Sequence, residues 1–516
     1  MDSKYYKWVA TFLVMIGIFM ALLDTTIVNI ALPKMMAELD ADTTGIQWVI
    51  ITYMISAAIG MSFVAWLSSV ISSKTIYLAG LVIFTLSSLM CGQADSLAQM
   101  NVYRIIQGIG EGMLVPIGMI ILYEVFPPEE LGIAMGVYGF GAALAPAMGP
   151  TLGGYITETL HWRWIFYINI PLGVIGTILS FLFLKKSEKA KDTAGPFDLA
   201  GFILLTVMLT SLILFLAKGQ EKEWLHSDFI LYMLITFIIS AILYVWWELR
   251  VDNPITDLTL FRINPFCLSV TTFFMCSAAL YGAFLIMPLY LERLRVYPTM
   301  TSGLILLPGG IICALTLIIA GLLGDKYTPK HGYVWGGLAF MSISLFLLGS
   351  IDLYTSKENL AYFYWVPVNI AWGFGFASSA ALAMGSAPED KASTASSIVN
   401  ITRLVAGAVG SAVGVAMLER GTASNYEAFA SNITHGKPAA MNMMAKISGY
   451  LVQTGISPEE AITKGTAFME TYITANASCY AFQSVFKFYA IIVAISVPFG
   501  FFIKFKKGEK RLIALH

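Results

Sequence analysis

The sequence predicts an all-α polytopic membrane protein of fourteen transmembrane helices, arranged as two six-helix bundles with two helices inserted between them. Three observations predict it. Hydrophobic residues make up 57% of the 516 before the 44 glycines are counted, where a soluble domain reaches roughly 45–50% with glycine included. Charged residues supply only 12%, about half the usual share. Fourteen stretches also come near the roughly 20 mostly apolar residues that a helix needs to cross a bilayer. This composition excludes a disordered chain, a nucleic-acid binder and an ordinary cytosolic enzyme, and a formal charge of -1 points to no polyanionic partner.

The first stretch, 8 to 32, follows the basic start MDSKYYK. It exceeds the roughly 7–15 apolar residues of a signal peptide and lacks a clear cleavage site, so it reads as a retained span. Five more lie at 46–68, 75–93, 97–122, 132–157 and 164–184, and two at 198–217 and 228–247. The last six are 266–291, 300–323, 332–351, 361–385, 394–418 and 485–504. An even number leaves both termini on one side. With that side taken as cytoplasmic, the inner segments carry 17 Lys and Arg against 7 in the short outer loops, the bias expected of a cytoplasmic face.

An internal repeat supplies the division. The segment PEELGIAMGVYGFGAALAPAMGPTLGG at 128–154 answers PEDKASTASSIVNITRLVAGAVGSAVG at 388–414, with an offset of 260. Each follows the fourth span of a bundle and opens the fifth. The expected domains are a bundle at 1–184, a cytoplasmic linker with two inserted helices at 185–265, and a second bundle at 266–516 with a long outer loop at 419–484. WLSSVISSK after the second span likewise answers GLLGDKYTPK after the tenth, setting Ser69 opposite Asp325.

Charges inside the spans carry the functional reading. Asp24, in LDTTIVNIALP, costs roughly 2.5–3.5 kcal/mol at the bilayer centre, so such a residue faces a cavity or a partner. It lies about 24 Å of helix from Trp8, and Arg104 lies about 10 Å into the fourth span from the outside, at a similar depth. A carboxylate and a guanidinium at one depth can exchange a proton as their solvation alternates. The competing reading is a permanent salt bridge that ties two helices.

Arg104, Gln107, Gly108 and Glu111 keep the i, i+3, i+4, i+7 spacing of one helical face. Glu111 is a second candidate proton carrier or, alternatively, a neutral acid hydrogen-bonded between helices. The fifth span holds seven glycines with Pro146 and Pro150. Its glycines, Gly149, Gly153 and Gly154 among them, allow close helix approach, and its prolines predict a bend. Arg403, in the thirteenth span, has no obvious local acid, and either an anionic group or carbonyl oxygens suit it. Asn29, Asn400 and Asp325 complete the candidates for a cavity or a gate.

Other chemistry has no support. Four of the five cysteines lie in apolar runs, which suits small apolar fillers better than a disulfide framework. The five histidines fall in loops or at the tail, with no two at metal-ligand spacing, and no phosphate-binding loop, nucleophile elbow or paired C-x-x-C occurs.

LDTTIVNIALP, YRIIQGIGEG (with Arg104, Gln107, Gly108 and Gly110) and GPTLGGYI resemble, in order, the first-span, fourth-span and antiporter motifs of the fourteen-span drug:proton antiporter family of the major facilitator superfamily. WRWIFYINIPLG, NPITDLTLF and ASSIVNITRLVAG are similar to stretches typical of that family. Each motif alone is weak, but six in the expected order are specific, and they cover about residues 8–418. The resemblance implies the major facilitator fold, two bundles facing each other across a midplane site. It implies a proton-coupled antiporter that exports hydrophobic or amphipathic small molecules across a bacterial inner membrane. The proton gradient drives such a protein, which is not an enzyme and needs no cofactor or metal. Asp24, Arg104, Gln107 and Glu111 then couple proton to substrate, and the helix of Pro146, Gly149, Pro150, Gly153 and Gly154 excludes a proton leak.

One departure stands out. Where the family often carries Asp and Arg between the second and third spans, this chain reads AWLSSVISSK, with Ser69 and Val70 in their place and only Lys74 left. The inner gate must then lean on other contacts, Asp325 and Lys326 among the candidates. The outer segment after Leu418 is too polar to span, and Ser457 with Glu460 forms a capping-box pattern. Exporters of this kind dock a periplasmic adaptor that leads to an outer-membrane channel, so the resemblance implies those partners, while a solvated lid without a partner is the alternative. A dedicated exporter of one metabolite or siderophore, and a membrane receptor or scaffold that transports nothing, are the competing functions.

Overall fold

The computed structural model describes residues 3–127, 130–186, 196–326, 331–388, 391–432 and 438–502. Every regular element among them is a helix, as hydrocarbon demands, because a helix satisfies its own backbone polar groups. The first bundle comprises α1 (Ser3–Glu38), α2 (Trp48–Val70), α3 (Ser73–Gly92), α4 (Leu97–Val125), α5 (Leu131–Thr159) and α6 (Asn169–Phe183). The inserted pair is α7 (Leu199–Gly219) and α8 (Asp228–Glu248). There follow α9 (Asn264–Leu289), α10 (Thr299–Lys326), α11 (His331–Leu348), α12 (Val366–Ser386), α13 (Ala392–Asn432), α14 (Pro438–Gln453) and α15 (Pro458–Phe502). Among the described residues, twelve helices are long and apolar enough to cross a membrane, and α5 and α11 add the shorter apolar stretches Gly132–Ala145 and Trp335–Leu348. The chain is a multi-pass membrane protein.

Capping fixes where several helices start. The Ser96 hydroxyl accepts from the Gln99 amide at 3.3 Å to open α4, and the Asp198 carboxylate accepts from the Gly201 amide at 2.9 Å to open α7. Helix α4 packs against α1, α2 and α3, while α9 packs against α12, α13 and α15. The two halves meet along α5 with α10 and along α2 with α13. The inserted pair lies to one side, with α7 against α2 and α13 and the outer faces of α8 exposing Tyr232, Ile242 and Trp246.

The glycines of α5 let backbones approach on two sides. A methyl group added at Gly149 would stand 2.2 Å from the Thr26 hydroxyl of α1, and one at Gly136 would stand 2.6 Å from the Leu317 carbonyl of α10. Pro146, Pro150 and Asp325 fall within helical backbone, but their side chains lie outside the described residues, so the bend and the gate expected of them do too.

The segment 419–484, expected to be a long outer loop, is mostly helical among its described residues. Helix α13 has 41 residues and α15 has 45, about 60 and 70 Å of helix, twice a hydrocarbon core of about 30 Å. Both therefore project beyond the bilayer, and α14 packs on α15. The Ser457 hydroxyl accepts from the Glu460 amide at 3.3 Å where α15 begins. The hydroxyls of Thr466, Thr471 and Thr474 bond back to carbonyls four residues earlier, so polar residues are carried here without leaving the helix.

Candidate functional site: a buried ionic centre between α1 and α4

Asp24 of α1 and Arg104 of α4 form a salt bridge through Oδ2 and Nη1, with side chains 0% and 1% exposed. Arg104 is oriented by more than that charge. Its Nη1 also donates to Gln107 Oε1 at 2.7 Å, its Nε donates to the Val49 carbonyl at 3.1 Å, and its guanidinium carbon lies 3.8 Å from the centre of the Tyr53 ring. The second carboxylate oxygen, Asp24 Oδ1, accepts from Gln107 Nε2 at 3.0 Å and from Asn169 Nδ2 at 3.1 Å. Both amides also donate to the Ser88 hydroxyl, at 3.2 and 3.0 Å, and that hydroxyl donates to the Phe166 carbonyl at 3.0 Å. Side chains from α4 and α6 thus converge on the carboxylate of α1, and Ser88 of α3 joins them through its bonds from both amides. Burying an ion pair is costly unless its remaining donors and acceptors are satisfied, and here both Asp24 oxygens and the Nε and Nη1 of Arg104 are bonded, while Asn169 Oδ1 is buried without a partner among the described residues.

One turn beyond Gln107 on α4, Glu111 is buried near Tyr53, whose hydroxyl donates to the Ala21 carbonyl at 3.3 Å. It lies within electrostatic reach of Arg403 on α13, which belongs to the other half of the molecule. Arg403 Nη1 donates to the Tyr281 hydroxyl at 3.2 Å, while its Nε and Nη2 are buried without a hydrogen-bond partner among the described residues. Beside it the halves are tied directly. Tyr138 donates to Asn400 Oδ1 at 2.9 Å, and the Ser396 hydroxyl donates to the Pro116 carbonyl at 3.0 Å.

The residues singled out in the sequence thus fall into groups. Asp24, Arg104 and Gln107 meet, Glu111 sits a turn away towards Arg403, and Asn400 is at the seam between the halves. Asn29 stands apart, exposed and bonded to the Thr25 carbonyl of its own helix at 3.3 Å. On α5, Gly149 and Gly153 pack against Thr26 and Ile27 of α1, while an added methyl at Gly154 would touch nothing closer than 3.9 Å. Sequence reasoning missed Asn169, Ser88 and Tyr53. Asn169 had a signal, being the amide in WRWIFYINIPLG where that segment enters a span. Ser88 and Tyr53 had none, because a serine or a tyrosine in an apolar helix looks the same whether or not it faces a charge.

The family model for the Major Facilitator Superfamily matches residues 14–411. The chain belongs to the major facilitator superfamily. It is 27% identical to the multidrug export protein EmrB of Haemophilus influenzae, over 91% of this chain and 90% of that protein. It is 30% identical to the multidrug resistance protein Stp of Mycobacterium tuberculosis, over 78% of this chain and 73% of that one. Among solved structures it matches the human organic anion transporter MFSD10 with a TM-score of 0.58 and 13% identity, covering 94% of this chain and 99% of that one, a likeness of fold alone. As a superfamily member the chain is a transporter, not an enzyme, with a small-molecule substrate and the lipid bilayer as its surroundings. Transporters of this superfamily work in general without a cofactor.

Proposed function

We propose that the chain is a proton-driven exporter of hydrophobic or amphipathic small molecules, a multidrug efflux protein of an inner membrane with both termini in the cytoplasm. The observation that carries the reading is the Asp24–Arg104 pair, fully buried yet held by three further polar side chains from three helices. A permanent tie needs one good geometry. A coupling site needs a carboxylate whose neighbours can compensate it in more than one state, and Gln107 and Asn169 supply donors that remain when Arg104 turns away, with the Ser88 hydroxyl accepting from both. In this cycle Asp24 takes the proton, Arg104 competes with it, Gln107 orients both, and Glu111 is a secondary acid. Arg403 and Asn400 line the seam where the bundles 1–184 and 266–516 move against each other, with 185–265 as linker and inserted pair. The names of the EmrB and Stp relatives agree with export of several drugs.

The projecting ends of α13 and α15, with α14, are proposed as the docking element for a periplasmic adaptor leading to an outer-membrane channel. Lys446, Glu459, Glu460, Lys464 and Glu470 stand there beside exposed Tyr450, Phe468 and Tyr472, a mixed surface suited to a wet protein interface. Inverted vesicles test both claims. Dye uptake driven by an imposed proton gradient should stop when an uncoupler is added. Replacing residues 421–481 with a short Gly/Ser linker should remove resistance in cells and leave vesicle uptake intact. Uptake indifferent to the uncoupler would discard proton coupling, and equal loss in cells and vesicles would discard the adaptor. The orientation is tested by cysteines at Ser424 and Lys506 in a cysteine-free background. An impermeant thiol reagent should mark only the first in intact spheroplasts, and marking of both breaks the scheme.

A further inference from the structure

The face of the first bundle that carries the N-terminus holds a cleft of about 170 Å³. Four helix ends form it: Tyr6 from the start of α1, Ser73 and Lys74 from the start of α3, Glu124 from the end of α4, and Lys185 and Lys186 just past α6. We propose that this cleft is a binding site for the phosphate headgroup of an anionic phospholipid, whose acyl chains lie along the neighbouring lipid-facing surface of α1 and α6.

The charge comes first. Three lysines and one glutamate line the cleft. The Lys74 ammonium donates to the Phe181 carbonyl at 2.7 Å, near the carboxyl end of α6, which leaves two of its three protons for another acceptor. Lys185 rests 4.7 Å from the centre of the Tyr6 ring, while its amide donates to the Tyr6 hydroxyl at 2.8 Å, so the chain is pinned where it leaves α6 and its ammonium is held at the cleft. Lys186 is exposed. Glu124 accepts from the Ser73 hydroxyl at 3.0 Å, which keeps the one acid of the lining engaged.

The surroundings decide between a lipid and a soluble phosphate. Phe181 and Leu182, on the last turn of α6, are 66% and 63% exposed, and Tyr5 and Phe12 on α1 are 66% and 62% exposed. A basic cleft at the end of a bundle, bordered by large apolar side chains that face hydrocarbon, offers a phosphate and an acyl chain their places together. A free phosphate uses only half of it. Basic pockets of this kind between helix ends attract anionic headgroups, each nearby lysine contributing to the attraction. The site also gives a role to Lys74, the one basic residue left in the altered segment AWLSSVISSK. It is separate from the ion pair and lies within one half, so its occupancy does not depend on the transport reading.

The test uses the purified full chain in neutral detergent, with phosphatidylglycerol or phosphatidylcholine added and retained lipid counted by native mass spectrometry. Phosphatidylglycerol should be retained over phosphatidylcholine, and Lys74→Gln and Lys186→Gln should each cut that preference about fivefold. Glu124→Gln should raise it, which an unfolded or damaged chain does not do. A parallel arm adds inorganic phosphate at millimolar concentration. Full displacement of the lipid by phosphate would replace the proposal with a soluble-anion site. Equal retention of the two lipids, or lysine variants that melt like the wild type and keep the preference, would overturn it.

Discussion

The seam between α1 and α4 in the first bundle and the seam between α9 and α12 in the second occupy corresponding places in the helix order of two repeats, and they are filled by opposite chemistry. At the first, Asp24 and Arg104 meet inside a hydrogen-bonded network. At the second, Phe284 packs edge-on against Trp365 at 5.1 Å, and Trp372 lies 4.8 Å from Phe376, which lies 4.8 Å from Phe273. Trp365, Trp372, Phe376 and Phe273 are as buried as the ion pair, with Phe284 partly buried at their edge, so burial does not explain the difference. An aromatic seam gains from contact area and from favourable edge geometry and has one stable arrangement. An ionic seam gains little net stability, because desolvation offsets attraction, but its energy changes with a proton. The repeat thus keeps packing in one half and titratable chemistry in the other, with Arg403 the exception that faces the seam between them.

The strongest way to break this comparison is to substitute the centre of each seam. Asp24→Asn keeps shape and hydrogen bonding but carries no proton at neutral pH. It should abolish gradient-driven efflux from inverted vesicles while the protein still inserts, at a stability cost of about 3–5 kcal/mol from the uncompensated Arg104. Phe284→Leu should cost less than about 1.5 kcal/mol and leave efflux within about twofold. If both variants lose efflux to the same degree, the two seams are not functionally different.

How far these seams can be seen in the sequence differs for the same physical reason. A charge in an apolar stretch is conspicuous, so Asp24, Arg104, Glu111 and Arg403 stand out, and equal helical depth already sets the first two side by side. The aromatic seam is invisible, because Phe284, Trp365 and Trp372 are indistinguishable from lipid-facing neighbours such as Trp246 until the packing is known. The helices themselves are legible from length and apolarity. What is not legible is where they stop outside the bilayer. The capping box at Ser457 already suggests a helix as far as about residue 473, but Thr474 and Asn476 beyond it read as loop; local hydrogen bonds carry α15 through them. Ser88 was hidden differently, since it joins the network only because α3 brings it to the point where the Gln107 and Asn169 amides meet.

Arg104→Lys sharpens the comparison by keeping the charge and removing the shape. Lysine has no fork to hold Asp24 and Gln107 together while donating to the Val49 carbonyl, and no plane to stack on Tyr53. Efflux should fall about tenfold at every pH between 6 and 8. A lysine variant that transports normally across that range would make Arg104 a plain counter-charge, and the first seam would then differ from the second only in polarity.

The smallest expected effect concerns an ion pair outside the membrane, where the same charges should matter far less. Asp257, in the segment between α8 and α9, pairs with Lys391 ahead of α13 at 2.5 Å and accepts from the Thr259 amide at 2.9 Å. Partial burial opposes its ionisation, but the bonds from Lys391 and Thr259 outweigh that and hold its carboxyl below the usual carboxylate range. A group with a lowered folded value adds stability that is fully present above the ordinary value, about 3.9, and is lost as pH falls through the lowered one. Thermal melting in detergent should therefore show an acid limb below about pH 4 that Asp257→Asn flattens, by no more than about 1 kcal/mol for a pair that water still screens. Transport at neutral pH should not change in this variant. An Asp257→Asn chain that lost efflux as Asp24→Asn is expected to would show that a solvated pair can govern the cycle, and burial of the charge would no longer be what separates the ionic seam from the rest of the molecule.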